Sequence, residues 1–161
     1  MDQPPTTTPA GDRPRLVIAD DDPVVQMMLD TSLCTEFDVV GVAGDGEEAI
    51  ELARLNQPDA ALIDVRMPGG GGLHAVRGIR EVAPDTAIVV LSGDRTHGVV
   101  GELMKAGAIA YRRKGVAPHL LARALKESIK VHGAERRGSA WSILGWYCQS
   151  LNRPARRARL K

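Results

Sequence analysis

Five short apolar runs, each followed by a turn and a helix-length segment, constrain this chain more than any other feature. The runs are 15–19, 37–42, 60–63, 86–91 and 109–112. They are largely continuous rather than alternating, as strands buried on both faces are. The segments between them predict helices: one opened by Pro23, whose missing N–H costs nothing at a first helical position, then 47–56, 73–82, 94–106 and 118–131. Val24, Met27, Met28 and Leu33 supply an apolar stripe to the first, and Ala49, Ile50, Leu52 and Ala53 turn inward from the second. Gly98 and Gly101 weaken the fourth. Strict alternation of strand and helix implies an α/β fold, a parallel sheet with helices on both faces.

Ligands of such sheets bind at the carboxyl ends of the strands, where the strand order reverses. The residues that close each apolar run therefore carry the functional information. Asp20, Asp21 and Asp22 follow the first, Asp64 the third, Ser92 and Gly93 the fourth, and Lys114 the fifth. Clustered carboxylates raise each other's pKa unless a positive charge joins them. A divalent cation resolves that conflict. Oxygen donors suit Mg²⁺, with Mn²⁺ as the alternative, better than zinc, which favours His and Cys. A lysine and a hydroxyl opposite the acids make sense when phosphoryl oxygens sit between them. A carboxylate can itself be the nucleophile and form an acyl phosphate. Read alone, the Asp20–Asp22 run is also a plain helix start with Asp22 as N-cap, Ser92 a turn residue, Lys114 a surface lysine and Tyr111 core packing.

Taken together, the segments LVIADDDP, ALIDVRMPGGGGL, AIVVLSG and AGAIAYRRKG resemble the receiver domain of two-component response regulators. The resemblance runs from about Arg15 to about Val131. It implies a flavodoxin-like sheet of five strands in the order 2-1-3-4-5. Asp64 would accept a phosphoryl group from a histidine kinase or a histidine phosphotransfer protein. Asp20, Asp21, Asp64 and the carbonyl of Arg66 would hold Mg²⁺, with Asp22 at a variable position. Ser92 and Lys114 would bind phosphoryl oxygens, and Gly93 would leave access open. Ser92 and Tyr111 would form the switch that reshapes the face of the fourth helix, fifth strand and fifth helix, a face through which relatives often form homodimers. The chain departs from the pattern at two points. Arg66 and Asp94 occupy the variable positions flanking the site, where a pair between them would slow water attack on the aspartyl phosphate, and Gly69–Gly72 lack the acidic residue common in this loop.

The remaining residues frame this picture. Residues 1–14, rich in Pro and Thr, read as a disordered segment, residues 15–132 as the receiver, and 133–161 as a linker and tail. The tail carries seven Lys/Arg against one acid although the whole chain is only +1, so the body is acidic. It holds both tryptophans, and 140–151 fits a short helix with Trp141, Leu144, Cys148 and Leu151 along one side. A docking or membrane-surface helix, a helix packed on the receiver, a disordered end and a truncated longer chain are all readings of it. Cys34 and Cys148 lie far apart without metal spacing, no stretch approaches a membrane span, and no basic-then-apolar leader begins the chain, so a cytoplasmic protein is expected. His74, His97, His119 and His132 show no ligand spacing and are read as surface residues, none of them a phosphodonor. Two other classes compete with a signalling switch. An aspartate-nucleophile phosphohydrolase would need an acid two residues after Asp64, where Arg66 stands; a DNA-binding transcriptional regulator would need an output domain or a role for the basic tail, and nothing here reads bases.

Overall fold

The structure, a computed structural model, describes residues 13–93 and 97–136, with the backbone alone at residues 97 and 98. The expected tail helix and Asp94 lie outside these residues. The elements alternate as β1 (Arg15–Ala19), α1 (Pro23–Leu33), β2 (Asp38–Ala43), α2 (Gly46–Asn56), β3 (Ala60–Asp64), α3 (Gly71–Val82), β4 (Ala87–Ser92), α4 (His97–Ala106), β5 (Ala110–Arg113) and α5 (Pro118–Arg136). All four strand pairings are parallel, in the order β2-β1-β3-β4-β5. The expected α/β fold and strand order are therefore present.

The three inner strands are buried along almost their whole length, which is why they read as unbroken apolar runs. Each face of the sheet carries its own core. Ile63, Ile88 and Val90 pack under α2, α3 and α4 with Ala53, Val76, Ile79 and Leu103. Leu16, Ile18, Leu62 and Val89 pack under α1 and α5 with Leu33, Phe37, Leu121 and Leu125. With one phenylalanine in the chain, both layers depend on close aliphatic packing.

Three readings are corrected. Val24, Met27 and Met28 do not face the core; they are 59%, 64% and 60% exposed, and α1 packs through Leu29 and Leu33 instead. An apolar helix has more than one candidate stripe, and the phase here is set by Gln26, whose Nε2 turns inward to donate to the carbonyls of Asp20 (2.6 Å) and Ala43 (3.1 Å). His132 is buried rather than at the surface, its Nε2 lying 2.9 Å from the carbonyl of Pro84 and 3.2 Å from Arg80 Nη1. That anchor, with the ion pair between Arg136 and Asp85 at 2.6 Å, carries α5 past Val131, where the sequence suggests its end. His74 and His119 are exposed as expected.

The glycine-rich loop after β3 is held by backbone contact. Gly46 N donates to the Pro68 carbonyl at 3.1 Å, and a Cβ on Gly46 would stand 2.5 Å from the Gly69 carbonyl oxygen. Alanine is ordinarily the better helix residue by about 0.5–1 kcal/mol. Here Gly46→Ala pushes two backbones apart and is expected to lower stability by about 1–3 kcal/mol. Urea unfolding of the two proteins checks this, and an unchanged or higher midpoint for the variant would refute the contact.

Candidate functional site

The order β2-β1-β3 places the reversal of the sheet between β1 and β3. Asp20 directly follows β1 and Asp64 ends β3, so the two acids flank that crevice. Lys114 follows β5 and reaches across to both. Its Nζ lies 2.7 Å from Asp20 Oδ2 and 3.1 Å from Asp64 Oδ2. Asp20 is fully buried and Asp64 is 3% exposed, so these are charges removed from water with an ammonium as shared counter-ion.

The surrounding backbone fixes each carboxylate. Asp20 Oδ1 accepts from the Asp22 N–H at 3.0 Å, while its Oδ2 meets Lys114 as an ion pair rather than as a well-directed hydrogen bond. Asp22 is the N-cap of α1, its Oδ1 accepting from the Val24 N–H at 2.8 Å. The plain reading of that one residue thus holds beside the chemical reading of its neighbours. Asp21 is exposed at the mouth. The Arg66 N–H donates to the Asp64 carboxyl, and a Cβ on Gly72 would stand 2.7 Å from the Asp64 carbonyl oxygen, so α3 begins tightly against the acceptor loop. Ser92 is buried at the end of β4, and its carbonyl accepts from the Lys114 N–H at 3.0 Å, tying the two strand ends together.

Burial pushes the Asp64 carboxyl above the ordinary carboxylate range. The Asp20 charge adds to that rise, and Lys114 and the Arg66 N–H oppose it without cancelling it. Burial alone would depress Lys114, but the carboxylates of Asp20 and Asp64 set against it outweigh that and hold it above its usual value.

One oxygen from each of Asp20, Asp21 and Asp64 lies within 4.8 Å of the others, an all-carboxylate set open to solvent on the Asp21 side. Such a set fits a hard divalent cation that keeps several waters, and lacks the imidazole or thiolate that zinc would favour. A cleft of about 460 Å³ lined by Asp21, Asp64, Arg66, Gly93 and Lys114 opens beside it. The position of a Gly93 Cβ is empty space, so that side of the cleft is unobstructed. A separate cavity of about 250 Å³ lies behind Ser92, between it and the half-buried Tyr111, with Val99, Val100 and Leu103 of α4 on its far wall.

Five of the residues singled out in the sequence therefore meet at one sheet edge: Asp20, Asp21, Asp64, Ser92 and Lys114. Arg66 stands at its mouth, and Tyr111 one cavity away. Sequence reasoning missed Gln26, which braces the acidic loop from inside α1, and Gly72. A lone glutamine in a helix carries no signal of its own; Gly72 was visible only as one of a glycine run.

The fold and site define a doubly wound α/β protein with a carboxylate–lysine centre at its topological switch point. Residues 16–126 match the family model described as the response regulator receiver domain. The chain is 34% identical over 135 residues to the uncharacterized transcriptional regulatory protein YxjL of Bacillus subtilis, covering 83% of this chain and 62% of that one. It is 40% identical over 114 residues to the transcriptional regulatory protein PdtaR of Mycobacterium tuberculosis, covering 69% and 54%. The chain thus spans between half and two thirds of these relatives. The signal receiver domain of the putative response regulator NarL from Mycobacterium tuberculosis superposes with a TM-score of 0.70 at 28% identity, covering 73% of this chain and 97% of that one. A CheY-like receiver domain protein from Methanospirillum hungatei shares the fold, with a TM-score of 0.71 at 23% identity over 77% of this chain and 99% of that one. The chain belongs to the response regulator receiver domain family, whose members are signalling switches of two-component systems.

Because the folded state raises the Asp64 pKa, the protonated carboxyl favours folding. That stability is complete below the ordinary carboxylate value and is lost as pH rises through the folded-state value. In metal-free buffer, Asp64→Asn is therefore expected to unfold at a higher denaturant midpoint than wild type at neutral pH. The difference should shrink as pH falls through the acid range. A wild type more stable than the variant at pH 7 would show that Asp64 is not held against its charge.

Proposed function

We propose that the chain is a phosphorylation-dependent switch in which Asp64 accepts a phosphoryl group from a phosphohistidine on a kinase or phosphotransfer protein. The observation that carries this reading is the Lys114 ammonium lying between Asp20 and Asp64 at the mouth of an open cleft. An Asp64 carboxylate oxygen attacks phosphorus, the O–P bond forms as the P–N bond of the donor breaks, and the leaving imidazole takes a proton from solvent. Lys114 is placed to follow the charge on the phosphoryl oxygens, and the Ser92 hydroxyl to hydrogen-bond one of them. Asp20, Asp21, Asp64 and the Arg66 carbonyl would hold Mg²⁺, or Mn²⁺, whose charge would offset that of the carboxylates and the incoming group. Later attack of water at phosphorus returns the carboxylate and releases inorganic phosphate.

Further features support the reading. Val24, Met27 and Met28 form an exposed apolar strip on α1, whose first turn adjoins the acidic loop, a surface suited to a donor protein that must bring its histidine to Asp64. The cavity behind Ser92 gives the half-buried Tyr111 ring room to move inward when Ser92 shifts toward a phosphoryl group. Such a movement would reshape the α4–β5–α5 face and so change which protein, or which second copy of this chain, binds there. A phosphohydrolase is disfavoured by Arg66, which offers no acid–base group two residues after the nucleophile. No helix among the described residues is long and apolar enough to cross a membrane, which agrees with a cytoplasmic location.

With Mg²⁺ and acetyl phosphate, intact mass is expected to rise by one phosphoryl group that then decays, and Asp64→Ala should stay unlabelled. Lys114→Met should label about a hundredfold or more slowly, the cost of removing one preorganised donor. Absence of an adduct under conditions that label another receiver would overturn the reading.

A further inference from the structure

One apolar concavity lies away from the acidic cleft. It is a groove of about 320 Å³ on the α4–β5–α5 face, floored by Ala108, Ile109, Ala124 and Val131 and flanked by Met104. Its rim is charged, with Glu127 and Glu135 from α5 and Arg112 from β5. Glu127 also pairs with Arg123 at 2.9 Å, so the rim is mixed, and an apolar floor with glutamates along its α5 side suits a partner that is apolar or aromatic at its centre and basic on that side. A guanidinium at the edge adds a site for an aromatic face.

This chain supplies such a segment next to the groove. Both tryptophans, Trp141 and Trp146, fall in residues 140–151 with Leu144 and Leu151, and Arg153, Arg156, Arg157 and Arg159 follow. Where that segment leaves the body is fixed. The last turn of α5 is pinned by His132 at the Pro84 carbonyl (2.9 Å) and by Arg136 at Asp85 (2.6 Å). Glu135, one residue before the end of α5, itself lines the groove. Residues 137–140, extended, reach roughly 13 Å. A chain that reverses at Gly138 spends about half of that on the way out, whereas residues 139–146, extended, return roughly 26 Å, which at 1.5 Å per helical residue brings Trp146 back along α5 as far as the level of Ala124. That interval spans the α5 part of the groove.

We propose that residues 140–151 dock in the α4–β5–α5 groove of their own molecule, seating a tryptophan on Ala108, Ile109 and Val131 and setting the basic residues that follow against Glu127 and Glu135. The site is distinct from the acidic cleft, and the assignment does not depend on phosphoryl chemistry. It makes the tail a built-in competitor for any partner that uses this face.

Because all the tryptophan lies in the tail, tryptophan fluorescence of the full chain reports the tail alone. In the wild type, emission is expected blue-shifted from that of free tryptophan amide, with acrylamide quenching weaker by about twofold or more than in the free amide. Met104→Glu should remove the shift and the protection. Glu127→Lys, at an exposed position where it gives up an ion pair with Arg123, should weaken both and make what remains less sensitive to salt. Far-UV circular dichroism confirms that both variants keep the fold. The proposal is overturned if tryptophan is as accessible in wild type as in the free amide, or if neither variant changes it. Protection that grows with protein concentration would overturn it in favour of a second copy's tail, and protection seen only with anionic phosphatidylserine vesicles in favour of a membrane surface.

Discussion

The site depends on one ammonium. Asp20 has no exposed surface and Asp64 almost none, and two carboxylates this close cannot both be ionised in a low-dielectric crevice without a cation between them. Lys114 supplies it from the far edge of the sheet. In the order β1-β3-β4-β5 the end of β5 lies two strands from the end of β3, and the long Lys114 side chain spans that distance to both acids. The local devices serve the same end. Asp22 caps α1 so that its chain turns away after Asp20, Gln26 holds the carbonyls on either side of that turn, and the Ser92 carbonyl fixes the backbone of Lys114.

Much of this was legible because a parallel sheet writes its geometry plainly. Strands covered on both faces must be apolar throughout, so the first polar residue after each run is also a residue at the carboxyl edge. That single rule located Asp20, Asp64 and Ser92 from sequence; Lys114 stands behind Arg112 and Arg113 on the less buried β5 and was picked out by the acids it complements. Helix phase was harder. Val24, Met27 and Met28 looked like a buried stripe because α1 is apolar on more than one side, and the deciding residue, Gln26, is polar yet faces inward to satisfy two carbonyls. His132 was missed for a related reason. Its burial is set by Arg80 and Pro84, far away in sequence, and no local pattern announces a contact of that kind. A glycine run does not say which member is packed: Gly72 at the start of α3, like Gly46 at the start of α2, is small because backbone stands where a Cβ would go.

The two ends of the sheet are built on opposite principles. At the amino end, the Arg80 guanidinium is shared among the carbonyls of Pro84, Thr86 and Gly107 at 2.6–3.1 Å, with His132 Nε2 3.2 Å from its Nη1. Its charge is spread over neutral acceptors that α3, α4 and α5 bring together, an arrangement with one geometry and little to gain by moving. At the carboxyl end, charge is concentrated instead. Burial holds the Asp64 carboxyl above its normal pKa even with Lys114 beside it, so the resting site keeps an anion that its surroundings disfavour.

A buried anion of this kind leaves room for a ligand to act. A centre whose charges were fully matched would gain little from a cation or a phosphoryl group, and its state could be biased only weakly by either. Here the carboxylates are under-compensated, the cleft beside them is open, and a cavity behind Ser92 leaves Tyr111 and α4 space to rearrange. In the switch proposed above, a ligand at that edge shifts the structure only by as much as it binds one state better than the other, and Arg80 and His132, which tie α3, the turn before β5 and α5 together at the amino end, are the fixed frame against which such a shift would work.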